Sequence, residues 1–392
     1  MKLIASLTLL IGALCATLAR ADAVTDWNIK SCDLIVEAKL ATQPAVRVMA
    51  IVQTAAHQAV MTALQRGASV EAALAASHRV TLNRLLPAQQ PMIDAAYQAV
   101  LGSIADNPSK FDGIADGEGA AHAVLAARAD DGAATPETYR PHTTAGAYVP
   151  TATPSVTQWP QRKPWLMRAP TQFRPAAPPA LNSAVWARDF NEVKAMGGRA
   201  STRRSAEQTE VARFWDYSVP PIYHALVRSV ALQPGRNIAR NARLFAAVAQ
   251  AMDDALIAVF DAKYHHKFWR PVTAVRNADM DGHDATEREA AWSALIDVPM
   301  HPEYPAAHSV LASSLGTVLA AEVGAAPLPV LTTSSPTAKG ATRRYDSISA
   351  MVQEVSDARI WGGVHYRTST EVGTHMGRQV GALAVAWMRA AP

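Results

Sequence analysis

The sequence predicts a mainly α-helical protein, on three observations. Ala, Val, Leu and Met recur at three- and four-residue spacings through most of the chain. Strand signals are almost absent. The one long stretch that breaks the helical pattern is rich in proline and threonine, with aromatics among them. With 392 residues and 49% hydrophobic content, there is ample material for a buried core.

Residues 1–21 stand apart. Lys2 precedes an apolar run from Leu3 to Leu18, and Ala19-Arg20-Ala21 has small residues at both positions of a cleavage site. The pattern predicts a signal peptide cleaved near Ala21, which would make the mature chain periplasmic or secreted. An N-terminal helical half is expected over residues 22–134, with helices over Pro44–Arg66, Ser69–Leu86, Pro91–Ile104 and Gly117–Arg128. Residues 135–180 form an irregular crossing segment whose Tyr139, Tyr148, Trp159 and Trp165 call for burial against the helices. Residues 181–392 form a second helical domain. Its expected helices span Asn182–Met196, Val219–Leu232, Gly235–Trp269, Thr286–Asp297, Pro305–Val323, Ser347–Trp361 and Ser369–Arg389.

Composition excludes several classes. Loss of the signal would leave Cys32 as the only cysteine, so neither an internal disulfide nor a four-cysteine metal site can form. No later segment holds eighteen consecutive apolar residues, so no stable membrane insertion is expected after signal cleavage. The net charge of +4 comes without any block of like charges, which argues against a nucleic-acid partner and fits a small anionic substrate. There is no His-Glu-x-x-His zinc site, no Gly-x-Ser-x-Gly elbow and no phosphate-binding Gly-x-x-x-x-Gly-Lys loop. His57, His78 and His122 lie singly on amphipathic helices and read as structural, and His283 sits in a turn.

Three stretches carry chemistry. In KYHHKFWRP, Lys263 and Arg270 are seven residues apart, so on a continuous helix both cations, with His266 and Lys267, project from one face. Pro271 ends or kinks that helix. In HPEYPAAHS, Pro305 suits the first position of a helix whose first-turn amides at Ala306, Ala307 and His308 lack intrahelical partners and can bind an anion. The helix dipole there favours neutral His308, which can exchange a proton with the anion. In ARIWGGVHYRTSTE, Arg359 and His365 would lie on different sides of an unbroken helix, but Gly362-Gly363 can bring them together.

In this order and spacing, the stretches resemble the superfamily of vanadium-dependent haloperoxidases and type 2 phosphatidic acid phosphatases. Its pattern is Lys, six residues, Arg-Pro; then Pro-Ser-Gly-His; then Ser-Arg, five residues, His, three residues, Asp. Here it reads Lys263 and Arg270-Pro271, Pro305-Ala306-Ala307-His308, and Ala358-Arg359, His365 and Ser369. The resemblance implies a helical bundle in which Lys263, Arg270 and Arg359 neutralise the oxygens of vanadate or phosphate. It implies that His365 bonds vanadium or phosphorus at one apex, and that His308 is the acid–base group at the other. Ala306 lacks the family's serine hydroxyl, so the anion is left with the Ala306 and Ala307 amides. Ser369 lacks the carboxylate that orients the apical histidine, so Glu371 or a backbone carbonyl would have to serve.

His301, seven residues before His308, occupies a position where bromide-oxidising relatives also carry histidine. The leading reading is a vanadate-dependent oxidation of halide by hydrogen peroxide. The alternative is a phosphomonoesterase that forms a phosphohistidine and needs no cofactor. A third is an oxyanion-binding protein with little or no turnover. The sequence leaves oligomeric state open.

Overall fold

A computed structural model describes residues 22–141 and 143–390; the expected signal peptide lies outside them. Asp22 accepts from the Thr25 amide at 2.9 Å and starts α1 (Ala23–Glu37), a helix the periodicity had not marked. α2 (Thr42–Arg66) stops at Gly67, which takes the left-handed conformation at φ 70°. α3 (Val70–Leu85) is capped by Ser69, α4 covers Gln90–Gly102, and α5 covers Pro108–Ala127. α5 begins nine residues earlier than expected, with Asn107 as its cap and Pro108 inside its first turn. Its glycines are not breaks: a Cβ on Gly117 would lie 2.1 Å from the Ala73 carbonyl, so the residue lets α5 close on α3.

Among its described residues the crossing segment has short 3-10 turns at Trp159–Gln161 and Pro170–Phe173 and a single bridge from Ala147 to Phe268. It is tied down by the long helix α9 (Ile238–His266). Asp254 accepts from the amides of Trp165, Leu166 and Met167 at 2.7, 2.8 and 3.0 Å. Arg162, 1% exposed, donates to Asp253 and Asp131, and Arg174 forks onto Asp261. The carboxylates thus replace the missing secondary structure as acceptors for backbone that would otherwise be buried unpaired.

α6 (Ala184–Gly197), α7 (Ala206–Phe214), α8 (Pro220–Ala231) and the short α10 (Pro271–Arg276) surround the C-terminal bundle of α9, α11 (Ala307–Val323), α12 (Ile348–Trp361) and α13 (Arg367–Ala390). Between α11 and α12 an antiparallel hairpin pairs β1 (Leu331–Ser335) with β2 (Ala341–Tyr345), a small exception to the all-helical expectation. α9 is buried almost continuously from Asn241 to Lys263, because it packs on α2 and on α11 and α13.

Residues 286–297 are not helical, despite their periodicity. The amide of Leu295 donates to Gly197, that of Arg199 to Ser293, and that of Ile296 to Gly362. Neighbouring backbone satisfies these groups, and tertiary pairing overrides propensity. A second core of Trp186, Phe190, Phe268, Trp269, Trp292, Tyr304 and Tyr366 fills the space beneath the loops that carry the cations and histidines.

Candidate active site

Lys263 and Arg270 do not share a helix. α9 ends at His266, Lys267 turns left-handed at φ 52°, and Arg270 caps α10 with an extended backbone. The two cations still meet, because the chain doubles back through Phe268 and Trp269, which pack in the aromatic core. His266 and Lys267 take other roles. His266 bonds to the Pro175 carbonyl, and the Lys267 ammonium lies 5.9 Å from the centre of the Tyr139 ring.

Both cations hold the loop from His301 to Pro305. The Lys263 ammonium donates to the carbonyls of Pro302, Glu303 and Pro305 at 3.1, 2.7 and 2.5 Å. Arg270 donates through Nε to the His301 carbonyl at 2.9 Å, through Nη2 to His301 Nδ1 at 2.9 Å, and through Nη1 to the Val364 carbonyl at 2.8 Å. Lys263 has three protons and all are engaged, so in this arrangement it gives the site charge and a fixed loop. Burial drives its pKa well below normal, and Arg270 adds to the effect; Arg270 itself falls to about 10 for the same first cause.

α11 starts two residues later than the proline suggested. Pro305 follows a cis peptide, Ala306 is the N-cap, and Ala307 is the first helical residue. The Ala306 amide is not free for an anion, since it donates to the Ser369 carbonyl at 3.0 Å. The amides of Ala307 and His308 take no hydrogen bond among the described residues. His308 Nε2 is buried and unpartnered, and burial followed by Arg359, Lys263 and Arg270 pushes its pKa well down. Neutral His308 therefore owes more to burial and three cations than to the helix dipole invoked from sequence.

Arg359 and His365 converge as the glycines allow. Gly363 adopts φ 78°, and the amides of Val364 and His365 fold back onto the Arg359 carbonyl. A Cβ on Gly363 would lie 2.3 Å from the Gly197 carbonyl, so this turn fits only with α6 close behind it. Arg359 donates through Nη1 to the Trp215 carbonyl at 2.8 Å, while its buried Nε has no partner. His365 is pinned from both sides. Its Nδ1 lies 2.7 Å from Glu303 Oε1, and its Nε2 faces Arg270 Nη1 at 3.2 Å. Arg270 can only donate, so Nε2 carries the lone pair and Nδ1 the proton.

Glu303 is the residue that sequence reasoning missed. It is fully buried and also accepts from the Tyr366 amide at 3.1 Å and from Ser369 Oγ at 2.6 Å. Burial raises its pKa to about 7 against the pull of Lys263. Glu371, expected to orient His365, is exposed and lines a separate cavity with His375 and Gln379. The only available signal for Glu303 was its place in HPEYP, within the stretch already singled out.

His301, Ala307, His308, Arg359 and His365 line one cavity of about 380 Å³, with Lys263 and Arg270 behind its wall. Its mouth is formed by Gln43 from the start of α2, Ser155 from the crossing segment, Asp216, Tyr217 and Met300. Burial raises the pKa of Asp216, while Arg359 holds it down. No group of His, Cys, Asp and Glu side chains among the described residues could by itself hold a metal ion. The unpartnered donors instead fit an oxyanion: Arg359 Nε and the amides of Ala307 and His308 belong to residues that line this cavity together with His365, and His308 Nε2 is likewise without a partner.

Comparison with known proteins matches this arrangement. The family model of the VCPO second helical-bundle domain matches residues 243–391. Vanadium chloroperoxidase of Curvularia inaequalis is 32% identical over 150 residues, covering 32% of this chain and 24% of that protein. Residues 243–391 are thus similar to the second helical-bundle domain of the vanadium chloroperoxidases.

The haloperoxidase fold extends over nearly the whole chain. The crystal structure titled the first bacterial vanadium-dependent iodoperoxidase superposes with a TM-score of 0.77 at 22% identity, covering 92% of this chain and 96% of that one. An apo bacterial vanadium-dependent chloroperoxidase gives 0.73 at 17% identity, with coverage of 88% and 92%. The curated chloroperoxidase is matched over about a quarter of its own length, so the sequence likeness is concentrated where the superfamily's motifs lie. These haloperoxidase relatives are enzymes acting on small molecules, and no helix among the described residues is long and apolar enough to cross a membrane.

Proposed function

We propose that this chain is a secreted or periplasmic vanadate-dependent haloperoxidase, which uses hydrogen peroxide to oxidise a halide: H2O2, halide and a proton give hypohalous acid and water. The observation that carries the reading is the set of unpartnered donors, Arg359 Nε and the amides of Ala307 and His308, on residues that line one cavity with His365. Vanadate would be held by these donors and His365, and when bound it would supply a Lewis-acidic vanadium(V) that activates peroxide toward halide.

The chain's own residues supply the rest. Lys263, Arg270 and Arg359 offset the charge of the anion in a site where burial strengthens each interaction. His308, held neutral by burial and the neighbouring cations, can take the proton of an incoming peroxide and deliver it to departing water. His301 lines the same cavity, with its Nδ1 bound to Arg270 Nη2.

One observation favours a phosphatase as second reading. A histidine with Nδ1 pinned on a carboxylate and an unprotonated Nε2 is also what attack on phosphorus requires, once the Arg270 N–H at 3.2 Å yields its place to the phosphoryl group. Phosphate monoester hydrolysis would place the phosphoryl group on Nε2 and use His308 to protonate the leaving alkoxide. No cofactor enters that reaction.

The purified protein, given vanadate, peroxide and bromide, is expected to brominate a phenol dye, and His365→Ala to abolish this. Metal-free release of phosphate from a chromogenic monoester, blocked by vanadate, would establish the phosphatase instead. Vanadate binding with neither turnover would leave the oxyanion-binding protein.

A further inference from the structure

We propose that Glu303 is the positioning residue of His365, and that the Glu303–Ser369 pair replaces the single Asp that the superfamily pattern places at position 369. This deepens the oxyanion-site reading and rests on it.

Ser369 alone would leave His365 Nδ1 facing a short hydroxyl. Here the carboxylate comes from another element, the loop before α11, and meets Nδ1 at 2.7 Å. Ser369 donates to the carboxylate's other oxygen at 2.6 Å, so the residue that seemed a loss clamps the replacement. The Tyr366 amide, next to His365, adds a third donor at 3.1 Å. All four groups are buried, at 2% exposure or less. A carboxylate with three fixed donors cannot swing away from the ring without leaving buried donors unpaired.

The backbone under Glu303 is equally fixed. Lys263 binds the carbonyls of Pro302, Glu303 and Pro305, Arg270 binds that of His301, and the Glu303 amide donates to the Phe268 carbonyl at 2.9 Å. The same loop leads directly into His308. In the superfamily pattern the orienting Asp belongs to the same stretch as the histidine it orients; here both the orientation of His365 and the position of His308 are set by one loop. The cations of the first motif therefore act on His365 through that loop as well as by charge.

The test uses the full-length apoprotein and two readouts. Long-range 15N–1H correlation of the imidazoles reports the His365 tautomer, assigned with His365→Gln, and calorimetry reports binding of orthovanadate and, separately, inorganic phosphate. Wild type is expected to show Nδ1–H. Glu303→Ala is expected to lose that single tautomer and to bind either anion about 10–100-fold more weakly. Glu303→Ala with Ser369→Asp, which restores the pattern's Asp, is expected to recover the tautomer and most of the affinity. Glu303→Gln, close in shape and still an acceptor, covers the case in which the alanine variant does not fold; it is expected to keep the tautomer and lose less affinity. An unchanged tautomer and affinity in Glu303→Ala, or loss of the Nδ1–H form in Glu303→Gln, overturns the proposal. Failure of wild type to bind either anion overturns the oxyanion site instead, while the tautomer still decides the role of Glu303.

Discussion

Two clusters of buried cations lie along α9, and they are built in opposite ways. Near its middle, Arg162 is matched by Asp253 and Asp131, with Trp165 Nε1 and the Arg47 Nε completing the carboxylates. At its end, Lys263 and Arg270 meet mainly backbone carbonyls, and Arg359 keeps an unpartnered Nε. The first cluster is closed and joins the crossing segment to the helix. The second is short of negative charge and fits an incoming anion. Burial alone therefore does not identify a functional cation; the chemistry of its acceptors does.

Breaking the closed cluster should have the largest effect. Arg162→Met strands Asp253 and Asp131 without their guanidinium and is expected to cost about 3–5 kcal/mol in chemical denaturation. Phosphate affinity of the folded fraction should stay within about twofold, since ten residues of helix, about 15 Å, separate Asp253 from Lys263. A large affinity loss would show that the clusters are coupled.

Acid separates the molecule's histidines in a second way. His78 and His224 lie far from the cradle, under Trp27 and Phe245, and burial lowers their pKa values to about 4 and about 3. Folding favours their neutral forms, so this stability is fully present above the unfolded value of 6.5 and is lost as pH falls through the folded values. For His78 the loss amounts to about 3 kcal/mol. Denaturation free energy should fall from pH 6.5 to 4, and His78→Leu should make that slope shallower.

The open cluster should yield the smallest stability change and a selective loss of binding. Arg359→Met removes a buried cation with one unpaired donor, so unfolding should shift by less than about 1 kcal/mol. Phosphate or vanadate affinity, read by calorimetry, should fall about 10–100-fold, the worth of a charge-assisted hydrogen bond. Marked unfolding would place Arg359 with the structural cations.

The parts of the site that were legible in the sequence are those encoded by local spacing. Arg359, Gly362, Gly363 and His365 form one turn, so their convergence follows from four neighbouring residues. Lys263 and Arg270 do come together, but not along one helix, since α9 ends at His266; their seven-residue separation fits a helix and a folded-back loop equally. Glu303 could not be assigned to His365 from spacing, because 62 residues separate them and only the packing of α11 on α13 brings them together. Residues 286–297 misled for the converse reason: their periodicity is real, but their backbone partners lie on Gly197 and Gly362. Most helices of both halves were readable because apolar residues recur along them at helical spacing, whether one face is buried or, as in α9, nearly all of them.

The mouth of the cavity adds a consequence for how such a protein can change. Gln43, Ser155 and Tyr217 lie outside residues 243–391, the portion matched by the family model, whereas the anion-facing groups Ala307, His308, Arg359 and His365 lie inside it. Reagent and vessel are thus written in different stretches of the chain. Substitutions at Gln43, Ser155 or Tyr217 can therefore change the lining of the cavity without replacing a group that faces the anion.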